Sequence, residues 1–220
     1  MKKYLIGIVT FVSITVLTAM AAKAGSTSVG FSLMAGIAGT DGTESEKSGD
    51  VGPETNKKSI NEDFYGGSIY LEHELDNGVA FGLDYVPYDI ELGSGTRTDV
   101  TSDATEATQD DGTSTASADL QNLITVYTAI PFGDSQVYGL LGLHNADITS
   151  NESLHTNSTY PDAEVWGYQV GLGVKGERIS AELFYSDFED ISLNSTSGSN
   201  KIEADADVIG IKIKIRLGTR

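Results

Sequence analysis

The sequence contains no cysteine, which excludes a disulfide framework, a thiolate zinc site and a cysteine nucleophile. Positive charge is scarce: 14 Lys and Arg stand against 32 Asp and Glu, a formal charge of −18. Such a surface repels phosphate backbones, so nucleic-acid binding is excluded as a function class. Long apolar runs are missing after the N-terminus, and any later membrane crossing therefore has to use β-strands closed into a barrel. Proline is rare, at 4 residues, whereas Gly reaches 25 and Tyr 10. That balance suits a β-protein with many turns.

The one apolar run opens the chain. Met1-Lys2-Lys3 is a short basic segment, Tyr4 to Met20 carries no charge, and Ala22-Lys23-Ala24 has the small-x-small form of a signal-peptidase site. Seventeen residues are short for a helical span, which needs about 20. Residues 1–24 are therefore expected to be a signal peptide and residues 25–220 a single exported domain. Loss of Lys2, Lys3 and Lys23 leaves 11 cations and a formal charge of −21.

Period-two alternation marks the strands. In Val165–Lys175, Trp166, Tyr168, Val170, Leu172 and Val174 share one parity, and Val165, Gly167, Gln169, Gly171, Gly173 and Lys175 the other. The last segment sets Ile209, Ile211, Ile213, Ile215 and Leu217 against Gly210, Lys212, Lys214 and Arg216. The first sets Val29, Phe31, Leu33, Ala35 and Ile37 against Ser28, Gly30, Ser32, Met34 and Gly36. Five further runs lie between, Phe64–Leu75, Val79–Leu92, Ala118–Ile130, Gln136–Ile148 and Ile179–Ile191, for a total of eight. The runs Ala118–Ile130 and Gln136–Ile148 alternate poorly, and their parity stays open.

The connections choose among β architectures. Asp76-Asn77-Gly78, Phe132–Ser135 and Lys175–Arg178 are tight links. Gly39–Asp63, Gly93–Ser117, Thr149–Glu164 and Ser192–Lys201 are long. Long and short links alternate strictly, as in an up-and-down barrel with four loops at one rim and three turns at the other. The expected fold is all-β, an eight-stranded antiparallel transmembrane barrel in the bacterial outer membrane. The first segment, about Ser28–Ala38, should pair with the last, about Val208–Leu217.

Two features put the apolar parity outside, in lipid. The polar parity is rich in Gly (Gly30, Gly36, Gly66, Gly82, Gly167, Gly171, Gly173, Gly210), and a narrow interior needs small residues to admit larger neighbours. Tyr65, Tyr85, Trp166, Tyr168 and Tyr185 lie on the apolar parity toward the long links, a candidate aromatic girdle at a membrane interface. The polar parity also carries Glu72, Glu74, Asp84 and Glu182 with Lys212, Lys214 and Arg216. Ionic groups in so narrow a space must pair, so they are expected to form a salt-bridge plug. A hairpin centred near Thr196–Ser197 sets Glu182 opposite Lys212, and a slip of two residues would keep the same faces and offer Lys214 instead. The turn at Asp76–Gly78 sets Tyr70 near Asp84 and leaves Glu72 and Glu74 lower, toward Lys214 and Arg216.

On this topology the chain resembles the small eight-stranded outer-membrane barrels of the OmpA-transmembrane-domain and OmpX-like group. The stretch from Gly82-Leu83-Asp84-Tyr85-Val86-Pro87 through Gly93-Ser94-Gly95-Thr96-Arg97-Thr98-Asp99 is also similar to a segment of small outer-membrane proteins from marine alphaproteobacteria. The resemblance implies outer-membrane lipid and the barrel-assembly machinery as partners. Unlike most of that group, which end in an aromatic residue, this chain ends Leu217-Gly218-Thr219-Arg220.

No catalytic constellation is rigidly framed. His155 has Ser153 and Glu152 nearby in sequence, but in a polar link with no support for a triad. His73 is expected at the lipid interface or rim and His144 in the barrel wall. The long links are acidic: Gly39–Asp63 holds seven acids against three lysines, and Gly93–Ser117 holds Asp99, Asp103, Glu106, Asp110 and Asp111 against Arg97. They match no calcium-loop spacing, so weak divalent-cation contact is the most they imply. With little to bury, Gly39–Asp63 and Gly93–Ser117 are expected to be the least ordered parts of the domain. No enzyme activity and no cofactor are expected. A structural or surface-interaction role is favoured, with a small porin-like channel for ions or polar solutes as the alternative.

Overall fold

A computed structural model describes residues 25–49, 52–99, 112–153, 159–198 and 200–217. The expected signal peptide, residues 1–24, lies outside the described residues. Ten strand segments follow in order: β1 Gly25–Gly49, β2 Gly52–Leu75, β3 Ala80–Tyr85, β4 Ile90–Asp99, β5 Gly112–Pro131, β6 Val137–Ser153, β7 Ala163–Lys175, β8 Ile179–Phe188, β9 Ile191–Asn194 and β10 Asn200–Leu217. Segments β3 and β4 make one wall strand interrupted at Val86–Asp89, and β8 and β9 make another. The wall therefore has eight strands.

Each wall strand pairs antiparallel with its chain neighbours, and β1 closes the sheet on β10 from Val29↔Leu217 to Glu46↔Asn200. Closure leaves no edge at these two segments, the condition that lipid imposes on a sheet. The three tight links are hairpin turns. At the first, Gly78 has φ +80° and its N–H donates to the Leu75 carbonyl at 2.9 Å; at the second, Gly133 has φ +62°.

The alternation of β1, β2, β7, β8 and β10 is realised as two faces. Ser32, Met34, Ser68, Tyr70, Gln169, Glu182, Phe184, Lys212 and Lys214 are buried inside. Leu33, Ile69, Leu141, Leu143, Val170, Leu172, Leu183, Ile211 and Ile213 are exposed outside. Trp166 and Ile215 sit on the same outer parity, half-buried. The exposed apolar residues come from every wall strand, so they form a belt around the barrel. That distribution inverts a water-soluble protein, in which so large an apolar surface is rare.

Of the two strands of open parity, β5 has a local cause. The β5–β6 register shifts between Gln121 and Ile124, where Asn122 adopts φ 53°, unusual for a side-chain-bearing residue. Below this bulge Thr125, Tyr127 and Ala129 face inward; above it Leu120 does. One extra residue thus switches the inward parity from odd to even within one strand. In β5 no single alternation exists to be read; β6 alternates throughout but is apolar on both faces, with Leu140 and Ile148 inside and Leu141 and Leu143 outside.

The long links depart from expectation. Gly39–Asp63 is nearly all strand: β1 and β2 stay paired from Gly39↔Asn61 through Glu46↔Glu54 to Gly49↔Gly52. Thr96 to Asp99 likewise pair with Gly112 to Thr115, and Thr115 to Asp119 with Thr149 to Ser153. These ribbons are polar on both faces, so they lack the apolar alternation that reveals a strand. The backbone ladder nevertheless pairs their N–H and C=O groups, which is what orders them. Asp103, Glu106, Asp110, Asp111 and His155 lie outside the described residues.

Candidate functional site in the barrel lumen

The lumen is filled by side chains whose sizes are matched across the wall. Tyr127 and Tyr138 lie across it because β3 and β7 carry Gly82 and Gly173 beside them, where any Cβ would overlap the tyrosine rings. The strand between β10 and β2 is similarly stripped: Gly30 of β1 pairs with Arg216 and Tyr70, and Ser32 with Lys214 and Ser68. Small residues on β1 let the cations of β10 reach over it to the acids of β2 and β3.

In the half nearer the tight turns, Lys214 is the hub. Its Nζ lies 2.6 Å from Glu72 Oε2 and 3.5 Å from Glu182 Oε1, and it donates to Tyr127 Oη at 2.8 Å. The ring centroids of Tyr70 and Tyr127 each lie 4.5 Å from the ammonium, a cation–π arrangement in a desolvated space. Tyr127 donates to Glu72 at 2.9 Å and Tyr138 to Glu182 at 2.7 Å. Arg216 lies 3.5 Å from Glu72 and donates to the Glu177 carbonyl. Lys175 binds Glu74 at 2.8 Å.

Above this hub, Lys212 pairs with Asp84 at 3.1 Å and its ammonium stands 5.7 Å from the Phe184 ring centroid. A chain of neutral groups continues around the wall. Thr125 Oγ1 bonds His144 Nδ1 at 2.7 Å, His144 Nε2 bonds Ser186 Oγ at 2.9 Å, and Gln169 Nε2 donates to Ser186 Oγ at 3.2 Å. The His144 ring stacks on Phe188, centroids 5.4 Å apart. Next above this layer the lumen is lined by the apolar side chains of Met34, Ala38, Phe64, Leu120, Ile148 and Phe188.

All seven luminal charges named from the sequence occupy this space; Glu72 meets Lys214 and Arg216 as expected, and other pairings differ. Glu182 stands opposite Lys212 in the β8–β10 register and Tyr70 opposite Asp84 in β2–β3. The ion pairs nevertheless run diagonally, Lys212 to Asp84 and Glu182 to Lys214. Strand register places backbones, whereas a lysine's four-carbon stem lets its ammonium find the acid that best completes its shell. Glu74 pairs with Lys175.

Lys175, Tyr127 and Tyr138 are the members that sequence reasoning missed. Lys175 was readable, because four acids against three cations leaves one charge short, and it stands on the polar parity of β7. The tyrosines lie on strands whose parity was open. His144 corrects an expectation for the same reason: it is a buried luminal group of β6, not a wall residue. His73 lies two residues before the end of β2, at the turn rim as expected, and is buried, with Nδ1 2.8 Å from Thr27 Oγ1.

Of the aromatic set, Tyr65, Tyr85, Tyr168 and Tyr185 are exposed on the outer face, Tyr65 most fully at 78%; Trp166 is half-buried there. Among the described residues, no group of three or more His, Asp or Glu is placed to hold a metal ion.

No protein-family model matches the chain, and no curated protein matches it. Solved structures do. Neisserial surface protein A matches at 10% identity over 85% of this chain and 97% of its own, with a TM-score of 0.43. The outer membrane protein OprG from Pseudomonas aeruginosa matches at 15% identity, covering 88% and 99%, with a TM-score of 0.48. AlkL, an outer membrane protein solved in lipid bilayers, matches at 10% identity, covering 90% and 95%, also at 0.48. These are likenesses in the path of the chain and carry nothing about activity.

Proposed function

We propose that this protein is a non-catalytic outer-membrane barrel with a closed lumen, which holds four acidic hairpins at the cell surface. Membrane residence rests on the apolar belt, and residues 1–24 would direct export. Outer-membrane lipid would cover the belt, with Tyr65, Tyr85, Trp166, Tyr168 and Tyr185 at one interface, and the barrel-assembly machinery would insert the chain. The acidic hairpins suit surface contact, with divalent cations as loosely held counter-ions.

The closed lumen rests on one observation: Lys214 of β10 touches groups of β2, β5 and β8 at once. Those strands surround the lumen, so the bonds bridge it rather than line it. Eight strands enclose only enough room for such side chains. The four acids Glu72, Glu74, Asp84 and Glu182 balance Lys175, Lys212, Lys214 and Arg216, so this set carries no net charge. Planar-bilayer recording tests this reading. The intact barrel should give no steady openings, and Lys214→Met combined with Glu72→Gln should create them. Sustained ohmic conductance of the unaltered protein would establish the porin-like channel instead.

A further inference from the structure

Above the ionic hub the lumen keeps a cavity with about 60 Å³ of water-accessible space. Six polar side chains line it: Asp84 of β3, Thr125 of β5, His144 of β6, Gln169 of β7, Ser186 of β8 and Lys212 of β10. All six are buried.

Their bonds to one another leave capacity over. The Lys212 ammonium has three N–H groups and gives one to Asp84 Oδ2. Two N–H groups and Asp84 Oδ1 remain, with no other hydrogen-bond partner among the described residues. Gln169 gives one amide N–H to Ser186, which leaves its second N–H and its Oε1 carbonyl. The hydroxyls carry a surplus that no tautomer removes. Neutral His144 has one ring proton to share between Thr125 at Nδ1 and Ser186 at Nε2. With that proton on Nδ1, Ser186 donates to Nε2 and the Thr125 proton is left over. With it on Nε2, Thr125 donates to Nδ1 and the Ser186 proton is left over.

Buried donors and acceptors without partners cost free energy, most of all at the charged Lys212 and Asp84. The spare groups are of both kinds and stand on different strands. Water suits them, because each molecule both donates and accepts and takes two to four polar partners. At the roughly 30 Å³ that a water occupies in the liquid, the cavity takes about two. It falls far short of the roughly 150 Å³ of a cavity that holds benzene.

We infer that the cavity is a binding site for a cluster of about two ordered waters, which bridge Lys212 and Asp84 to Gln169 and to the spare hydroxyl of the His144 chain. The waters are then a shared partner of six wall strands and complete the polar layer over the hub. This deepens the closed-lumen reading and rests on it, since the Lys214 hub beneath bounds the cluster.

The test is a crystal structure of the full barrel grown in a lipidic mesophase, at a resolution that separates single waters. Discrete water density should lie within hydrogen-bond distance of Lys212 Nζ, Asp84 Oδ1 and Gln169 Oε1, above a hub whose Lys214 contacts are direct. No density there, or one elongated density of an acyl chain, overturns the inference and leaves the closed lumen standing. A column of water running past Lys214 to the turn rim would refute the closed lumen, and the bounded cluster with it. Gln169→Leu, close in volume but without polar atoms, should lose the water beside Oε1 while the hub stays in place. Water density unchanged in that variant overturns the bridging role.

Discussion

Lys212 and Asp84 form the most self-contained ion pair in the lumen, each nearly fully buried. Removing one partner strands the other charge away from water, which costs roughly 3–5 kcal/mol, whereas removing both together costs much less. Lys212→Met and Asp84→Asn should each lower unfolding stability in urea by that order, with the double variant closer to the parent. Additive losses would mean that each charge is solvated independently, as in an open lumen. Gly173 makes a separate residue-scale prediction. A valine there collides with the Tyr138 ring, and overpacking of this kind costs typically about 1–3 kcal/mol. Displacing Tyr138 also breaks its bond to Glu182, so Gly173→Val should exceed Gly139→Val, whose Cβ would lie 3.3 Å from Phe132, in the same urea measurement.

At the scale of elements, the paired ribbons above the belt change what the surface presents. Hydrogen exchange should show protected amides along Thr40–Ser45 of β1 and Thr55–Ile60 of β2, well beyond the last apolar position. Complete exchange there within seconds would restore the mobile-loop expectation. The chain after β6 is also tied down. Tyr160 Oη donates to Glu44 Oε1 at 3.2 Å, Asn200 donates to the same oxygen at 3.1 Å, and the Tyr160 N–H donates to Glu152. Burial and then the Glu44 carboxylate push the Tyr160 phenol above its ordinary value. A raised folded pKa favours the protonated form, so its contribution is complete below the unfolded value of about 10 and fades as pH rises past it. Exchange protection near Glu44 should therefore fall above pH 10 in the parent, and Tyr160→Phe should lack that dependence.

At the scale of the whole molecule, the single tryptophan reports how the barrel sits. Trp166 is half-buried on the outer face near exposed Tyr168, and an interfacial position places its indole at headgroup level. Its emission should be quenched more by lipids brominated high on the acyl chain than by those brominated near the chain end. Equal resistance to both would place it outside the membrane and displace the girdle. The barrel's closure through β1 and β10 also predicts that shortening β10 from Val208 onward yields no inserted protein, since both flanking strands would then face lipid with open edges.

Much of this was settled by local pattern. Period two in β1, β7 and β10, the Gly-rich polar parity and the alternation of long and short links were sufficient for strand number, closure and facing, because alternation and turn chemistry are properties of neighbours in sequence. The register that sets Glu182 opposite Lys212 followed from a turn position alone. Other features depended on contacts between distant segments. The bulge at Asn122 hides the parity of β5, the polar ribbons are ordered by backbone pairing that side-chain pattern does not encode, and the diagonal ion pairs depend on how far a lysine stem reaches. The luminal cavity, too, arises only when the upper faces of all eight wall strands meet. Period and turns act over a few residues and are written in the chain, whereas pairing partners and empty space exist only once the barrel has closed.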